Sequence, residues 1–251
     1  MITFTLVPHL YAARYEHSII ILDSAQDKYL SIIDDAAKYL AFILEASFID
    51  DGEFVPVGSA PEIDIQQLNA WIQHFSDKKL IMQSLQDGVA KKLAAHPLKP
   101  GGLIEYKWDH KPSWKPFTRA KKSEILGTIF VLAKVHRTLK RQGIKGVLDL
   151  IASACSKQAP YKNPTESELE VLAATVDVAT MLYPKKTFCL AWAATFTLLA
   201  LKKQWQCQLE IGVQTNPFYA HAWATSSGKV IHDDPMIAQV LSIILKEPQN
   251  N

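Results

Sequence analysis

Between residues 84 and 118 the hydrophobic periodicity breaks down, and this break constrains the fold more than any other feature. The stretch holds Lys91-Lys92, His96-Pro97, Lys99-Pro-Gly-Gly102, Lys111-Pro112, Trp114 and Lys115-Pro116. Prolines and glycines at this density interrupt both helical and strand patterns. A chain of 251 residues divided there forms two modest domains rather than one large one. The expected organisation is a first domain over 1–85, a linker over 86–118 and a second domain over 119–251. The lysines and tryptophans of the linker raise RNA as a partner. A formal net charge of +2 is too near zero to support it, so no nucleic acid is expected, and Trp108 and Trp114 are read as docking on a neighbouring domain.

The first domain opens with strand patterns. Ile2, Phe4 and Leu6 alternate with polar residues, Ser18 to Leu22 is a β-branched run, Asp23 to Asp27 a turn, and Tyr29 to Ile33 a returning strand. Asp34 or Asp35 then caps a helix over about 35–46, with Ala36, Leu40, Ile43 and Leu44 at helical spacing. Residues 47–62 read as loop. A second helix starts at Asp64 with the stripe Ile65, Leu68, Ile72, Phe75 and Trp71 beside it, and Lys78 to Met82 reads as a short extended closing segment. This β-β-β-α-α module is expected to be winged-helix-like. Its histidines, His9, His17 and His74, lack catalytic partners and read as surface or structural.

The second domain begins with helices. Ile125, Ile129, Leu132, His136 and Leu139 form a stripe that Gly143 ends, and Val147 to Ile151 starts another short helix containing Cys155. His136 and Cys155 read as packed residues. Thr165-Glu-Ser-Glu168 is a capping box for a helix running to about Tyr183 and Pro184. A further helix is expected from about Thr187 to Lys203, followed by strands at Gln208–Val213, Phe218–Thr225 and Lys229–Asp233. The fold class is therefore α+β, helices followed by antiparallel strands.

Cys189, His221 and Asp233 fall in this last region in the order nucleophile, base and orienting carboxylate. Cys189 lies in the first turn of its helix, where free N–H groups and the dipole favour a thiolate. With a three-residue turn at Ser226-Ser-Gly228, Thr225 opposes Lys229, and the register sets Asp233 opposite His221 on the same face. Tyr219 and Trp223 share that face and would wall the site. A slip of one residue would make Asp234 the partner instead. Asp234 precedes Pro235, where the strand must end, so Asp233 is preferred. Cys207 has no base and reads as structural. From spacing alone, cysteine hydrolase and acyl transferase stand level.

Cys189-Leu190, Ile211-Gly-Val213, Asn216-Pro-Phe-Tyr219, His221-Ala-Trp223 and Val230-Ile-His-Asp233 together resemble the transglutaminase-like branch of the papain-type cysteine enzymes. The resemblance is closer still to the B proteins of lasso-peptide biosynthesis. His232 stands where that family often has Asn, and Ala224-Thr225 where Val-Glu is common. The motifs cover about residues 187–245. The resemblance implies that the N-terminal module is a fused recognition element binding the leader of a ribosomally made precursor peptide. Its expected contacts are the third-strand edge, Tyr29, Ser31 and Ile33, and the helix residues Leu68, Trp71, Ile72 and Phe75, about half of which should be core. The resemblance also implies that a Cys189–His221–Asp233 triad cuts off the leader through an acyl-enzyme. A separate asparagine-synthetase-like cyclase would then close the ring. The Cys189 N–H would serve the oxyanion, with Tyr183 as the side-chain candidate. The rival readings are a transglutaminase- or acetyltransferase-like acyl transferase and a non-catalytic peptide-presenting adaptor. No metal or other cofactor is expected. No run of about 18 apolar residues suggests membrane insertion, and three sparse cysteines suit a reducing cytoplasm.

Overall fold

The computed structural model describes residues 3–15, 17–45, 47–48, 54–55, 64–84, 119–155, 161–215 and 217–248. The chain forms two compact units, one of Met1–Ser24 with Lys28–His96, the other of Ala25–Asp27 with Pro97–Asn251. The expected linker over 86–118 lies outside the described residues. None of the helices described is long and apolar enough to cross a membrane.

The first unit is built on a three-stranded antiparallel sheet, β2 (Leu10–Tyr15), β3 (Ser18–Asp23) and β4 (Lys28–Ile32), in the order β2-β3-β4. Ile19 to Leu22 of the central strand are fully buried. The three-stranded set thus differs from the expected one. The first segment, β1 (Thr3–Leu6), leaves the sheet and pairs antiparallel with β7 (Ile81–Ser84), Leu6 opposite Ile81. The strand it was expected to supply is β2, whose Ala12-Ala13 centre has weak strand propensity and no clean alternation of burial. Helices α1 (Asp34–Glu45) and α2 (Ile65–Asp77) pack Leu40, Ile43, Leu68 and Phe75 into one core with Ile19 and Ile21. Asp64 caps α2 by accepting the Gln66 N–H at 2.8 Å. Inside the expected loop, β5 (Ser47–Phe48) and β6 (Phe54–Val55) form a two-residue antiparallel pair.

The second unit starts from α3 (Ile125–Ala154), which is broken at Gly143 by φ 63°, ψ −156°, a left-handed conformation that costs glycine little. Helix α4 (Glu166–Leu182) opens on a formed capping box: Thr165 Oγ1 accepts the Glu168 N–H, and Glu168 returns a carboxylate oxygen to the Thr165 N–H at 2.8 Å. Helix α5 (Cys189–Lys202) is apolar all round, and Ala193, Ala194 and Phe196 are fully buried. Such a helix belongs inside a domain, and α5 lies between α3, α4 and the sheet. The sheet is antiparallel, β8 (Gln208–Gln214), β9 (Tyr219–Ser226), β10 (Lys229–Ile231) and β11 (Ser242–Glu247), ordered β10-β9-β8-β11. A four-residue helix, α6 (Ile237–Val240), leads into β11.

The β9–β10 turn corrects the expected register. Only Ser227 (φ 50°) and Gly228 (φ 78°) form the loop, the two positive φ values of the tight turn that suits strand twist. Lys229 therefore opposes Ser226, Val230 opposes Thr225, and pairing stops at Ile231, two residues short of the expected strand end.

Candidate active site

Cys189 is the first residue of α5. Phe188 before it is extended, and the first turn closes with the Trp192 N–H on the Phe188 carbonyl at 3.0 Å. The N–H groups of this first turn have no acceptor within the helix. The thiol is influenced by the His221 imidazole and by the backbone N–H groups of Ala222 and Leu190. Burial, the largest single influence, disfavours the thiolate. The imidazole bond, the imidazolium charge and the two backbone donors together outweigh it and hold the thiol below its ordinary value.

His221 is placed by β9, opposite Gly212 of β8, and is buried. Its Nε2 lies 2.6 Å from Asp233 Oδ2. With Nε2 committed to the carboxylate, Nδ1 is the nitrogen left for the thiol. Burial favours the neutral ring most strongly, but the bonds to Asp233 and Cys189 and their negative charges win, raising the imidazole to about 9. The pair is thus biased toward thiolate and imidazolium.

Asp233 reaches His221 by a different route from the one expected. The observed pairing, extended, would set Asp234 opposite His221. Instead His232 turns left-handed (φ 57°) immediately after β10, and this swings Asp233 onto the ring. Asp233 Oδ1 also accepts the Asp234 N–H at 2.8 Å, so both carboxylate oxygens are held. Asp234 is exposed and accepts the Met236 N–H at 2.9 Å at the entry to α6.

Tyr219 and Trp223 flank His221 along β9, each ring stacked 6.0 Å from the imidazole. Trp223 is fully buried, so it backs the histidine rather than lining an open surface. Its indole N–H goes to Glu210 at 3.1 Å, and Glu210 also takes Thr225 Oγ1 at 3.3 Å and the Lys246 ammonium at 2.9 Å. Tyr183 stacks on His136 (4.9 Å between ring centres), and His136 Nε2 lies 3.4 Å from Thr187 Oγ1, two residues before the nucleophile position. Burial, then the charge of Lys185, holds His136 below its usual range.

Cys207 is buried, and burial pushes its thiol up to about 12. Cys155 is half-buried at the end of α3, more open than expected, and accepts the Tyr161 hydroxyl at 2.9 Å. In the first unit, Ser31 is exposed and Tyr29 half-exposed on β4, and Ile33, just after the strand, is exposed. Of the four α2 residues, about half of which were expected to be core, Leu68 and Phe75 are core and so closed to a ligand, because α2 turns that face onto α1 and the sheet. Trp71 and Ile72 stay half-exposed at the core margin.

Three residues of the C-terminal site went unread in the sequence: Asp177, Glu210 and the steric role of Gly212. Asp177 did leave a signal, being the lone charge in the buried run Leu172–Ala179 of α4. Its Oδ1 accepts the Trp192 indole N–H at 2.8 Å, and its Oδ2 lies 3.3 Å from His232 Nδ1. Among the described residues no three His, Cys, Asp or Glu side chains converge as metal ligands would.

Residues 131–246 match the model of the transglutaminase-like superfamily. Over 59 residues the chain is 36% identical to the microcin J25-processing protein McjB of Escherichia coli, a stretch that is 24% of this chain and 28% of that protein. The chain thus matches little more than a quarter of the length of that curated relative. No solved structure matches. Residues 131–246, which hold the Cys189 helix and the His221 sheet, are a transglutaminase-like domain, and with the similarity to the microcin J25-processing protein this upholds the resemblance to the lasso-peptide B proteins.

Proposed function

We propose that this chain is a cysteine endopeptidase that removes the leader from a ribosomally made lasso precursor peptide in the cytoplasm. The observation that supports it most is the 2.6 Å contact of His221 Nε2 with Asp233, with the Cys189 thiol on the same imidazole at a helix start. The thiolate of Cys189 attacks the carbonyl at the leader–core junction. The developing oxyanion takes the Cys189 N–H, unused by the helix. His221 protonates the departing amine, which becomes the new N-terminus of the core. The leader remains as a thioester. Water, deprotonated by His221, then attacks it and restores the thiol. Asp233 keeps the ring oriented through both halves and stabilises the imidazolium. A separate asparagine-synthetase-like cyclase would take the released core.

The first unit would capture the leader by strand addition. Strand β4 pairs only with β3 among the described residues, leaving its outer edge open beside Tyr29, Ser31 and the 58% exposed Ile33. Trp71 and Ile72 of α2 would supply apolar contacts.

The test is Cys189→Ala in the full chain, assayed with a leader–core peptide. Cleavage is expected to vanish while leader affinity stays within about twofold, since the substitution touches no leader contact. Persisting cleavage would overturn the assignment. Product masses after incubation with a primary amine separate hydrolysis from acyl transfer: free carboxylate on the leader supports the peptidase, and amide there the transferase.

A further inference from the structure

We propose that Asp177 and His232 are positioning residues which, through one buried carboxylate, lock the nucleophile helix and the Asp233 segment into a single unit. The inference rests on the triad read above.

The segment after β10 has a choice of conformations. An extended His232 would continue the strand in its observed register and bring Asp234, not Asp233, opposite His221. A left-handed His232 brings Asp233. For a residue with a side chain the left-handed region is sterically disfavoured, so something must hold it there. His232 Nδ1 lies 3.3 Å from Asp177 Oδ2, and its ring sits 6.0 Å from the Trp192 indole.

Asp177 itself is fully buried on α4. Its other oxygen is fixed by the Trp192 indole N–H at 2.8 Å, and Trp192 lies one helical turn after Cys189 on α5. The carboxylate thus touches an anchor of the nucleophile helix with one oxygen and the residue beside Asp233 with the other. A buried carboxylate contributes little net stability compared with an apolar residue of the same size. What it supplies is direction: an apolar side chain at 177 would leave both the indole N–H and the His232 ring free to turn.

Two substitutions separate side chain from backbone. His232→Gly keeps the left-handed conformation available but removes the contact to Asp177. His232→Asn also tolerates that conformation and returns a donor near the place of Nδ1. The full chain is used, with two readouts: the pH dependence of Cys189 carboxymethylation, followed by peptide mass, and kcat and KM for the leader–core peptide. His232→Asn is expected to stay within about threefold of the parent in both. His232→Gly is expected to move the alkylation midpoint to higher pH and to lower kcat by about tenfold or more at near-constant KM, since misplacing a group by about 1 Å can cost on the order of 100-fold. Asp177→Asn, which can still accept the indole N–H, is expected to harm the parent much more than the His232→Gly background. Parent-like behaviour of His232→Gly, equal damage from Asn and Gly, or full additivity with Asp177→Asn would each overturn the proposal. The alkylation profile needs no substrate, so it stands or falls separately from the leader-peptidase reading, which fails instead if Cys189→Ala still cleaves.

Discussion

The Trp223 indole lies across Gly212, so closely that a Cβ built on Gly212 would come within 2.6 Å of the indole ring and 2.7 Å of Leu241. Gly212 is also the residue opposite His221. The missing side chain lets the indole settle on β8, reach Glu210 and back the imidazole. Gly212→Ala is expected to destabilise the second unit by about 1–3 kcal/mol through overpacking, read as a lowered thermal midpoint, and to reduce kcat because the displaced indole shifts His221. An alanine variant with unchanged midpoint and rate would refute the steric account.

The two neighbouring aspartates should behave very differently. Asp233→Asn removes the negative charge on His221 Nε2 and allows the wrong tautomer, so cleavage is expected to fall by about 10³-fold or more. Asp234→Ala loses only an exposed contact to the Met236 N–H, which is worth about 1 kcal/mol or less, and cleavage should stay near the parent rate. Steady-state kinetics on both variants decides the matter, and the opposite ranking would mean that Asp234 is the orienting residue.

Cleavage should follow a bell in pH. Cys189 is held below the ordinary thiol value, so the thiolate is lost only as pH falls through that lowered value, which sets the acid limb. His221 is raised to about 9, so the imidazolium that protonates the leaving amine is lost as pH rises through about 9, which sets the alkaline limb. Near neutral pH, iodoacetamide should label Cys189 well before Cys207, whose thiol stays protonated up to about 12. Labelling of Cys207 ahead of Cys189 would contradict both shifts.

Leader affinity and chemistry should separate by unit. Ile33 is 58% exposed at the end of β4. Ile33→Asp is expected to change stability by no more than about 0.5 kcal/mol. It should weaken leader binding by about tenfold, the cost of bringing a charge against an apolar contact. Alkylation of Cys189 should not change. Calorimetry with the leader alone measures the first effect, and unaltered affinity would remove the β4 edge from the binding surface.

The elements that rest on local pattern were legible in the chain itself. The capping box at Thr165 and Glu168, the break at Gly143 and the starts of α2 and α5 depend on residues within a turn or two of each other. For the same reason Cys189 at a helix start and His221 on a strand could be read directly. β2 escaped because Ala12 and Ala13 carry little strand preference, and its burial comes from neighbours rather than from alternation. β1 was misplaced because its partner, β7, lies some 75 residues away and no local rule chooses between edges.

The same division runs through the candidate site. The order Cys189, His221, Asp233 and the turn residues Ser227 and Gly228 are properties of the sequence. Which aspartate meets the imidazole is not, because a register shift of one residue and a left-handed His232 act in opposite directions and nearly cancel. The residues beside that choice come from far along the chain: Asp177, more than fifty residues upstream, meets His232 with one carboxylate oxygen and Trp192 with the other. Strand periodicity determines which face a residue takes only while the strand lasts. Beyond Ile231 the backbone follows its contacts, and those exist only once α4, α5 and the sheet have packed.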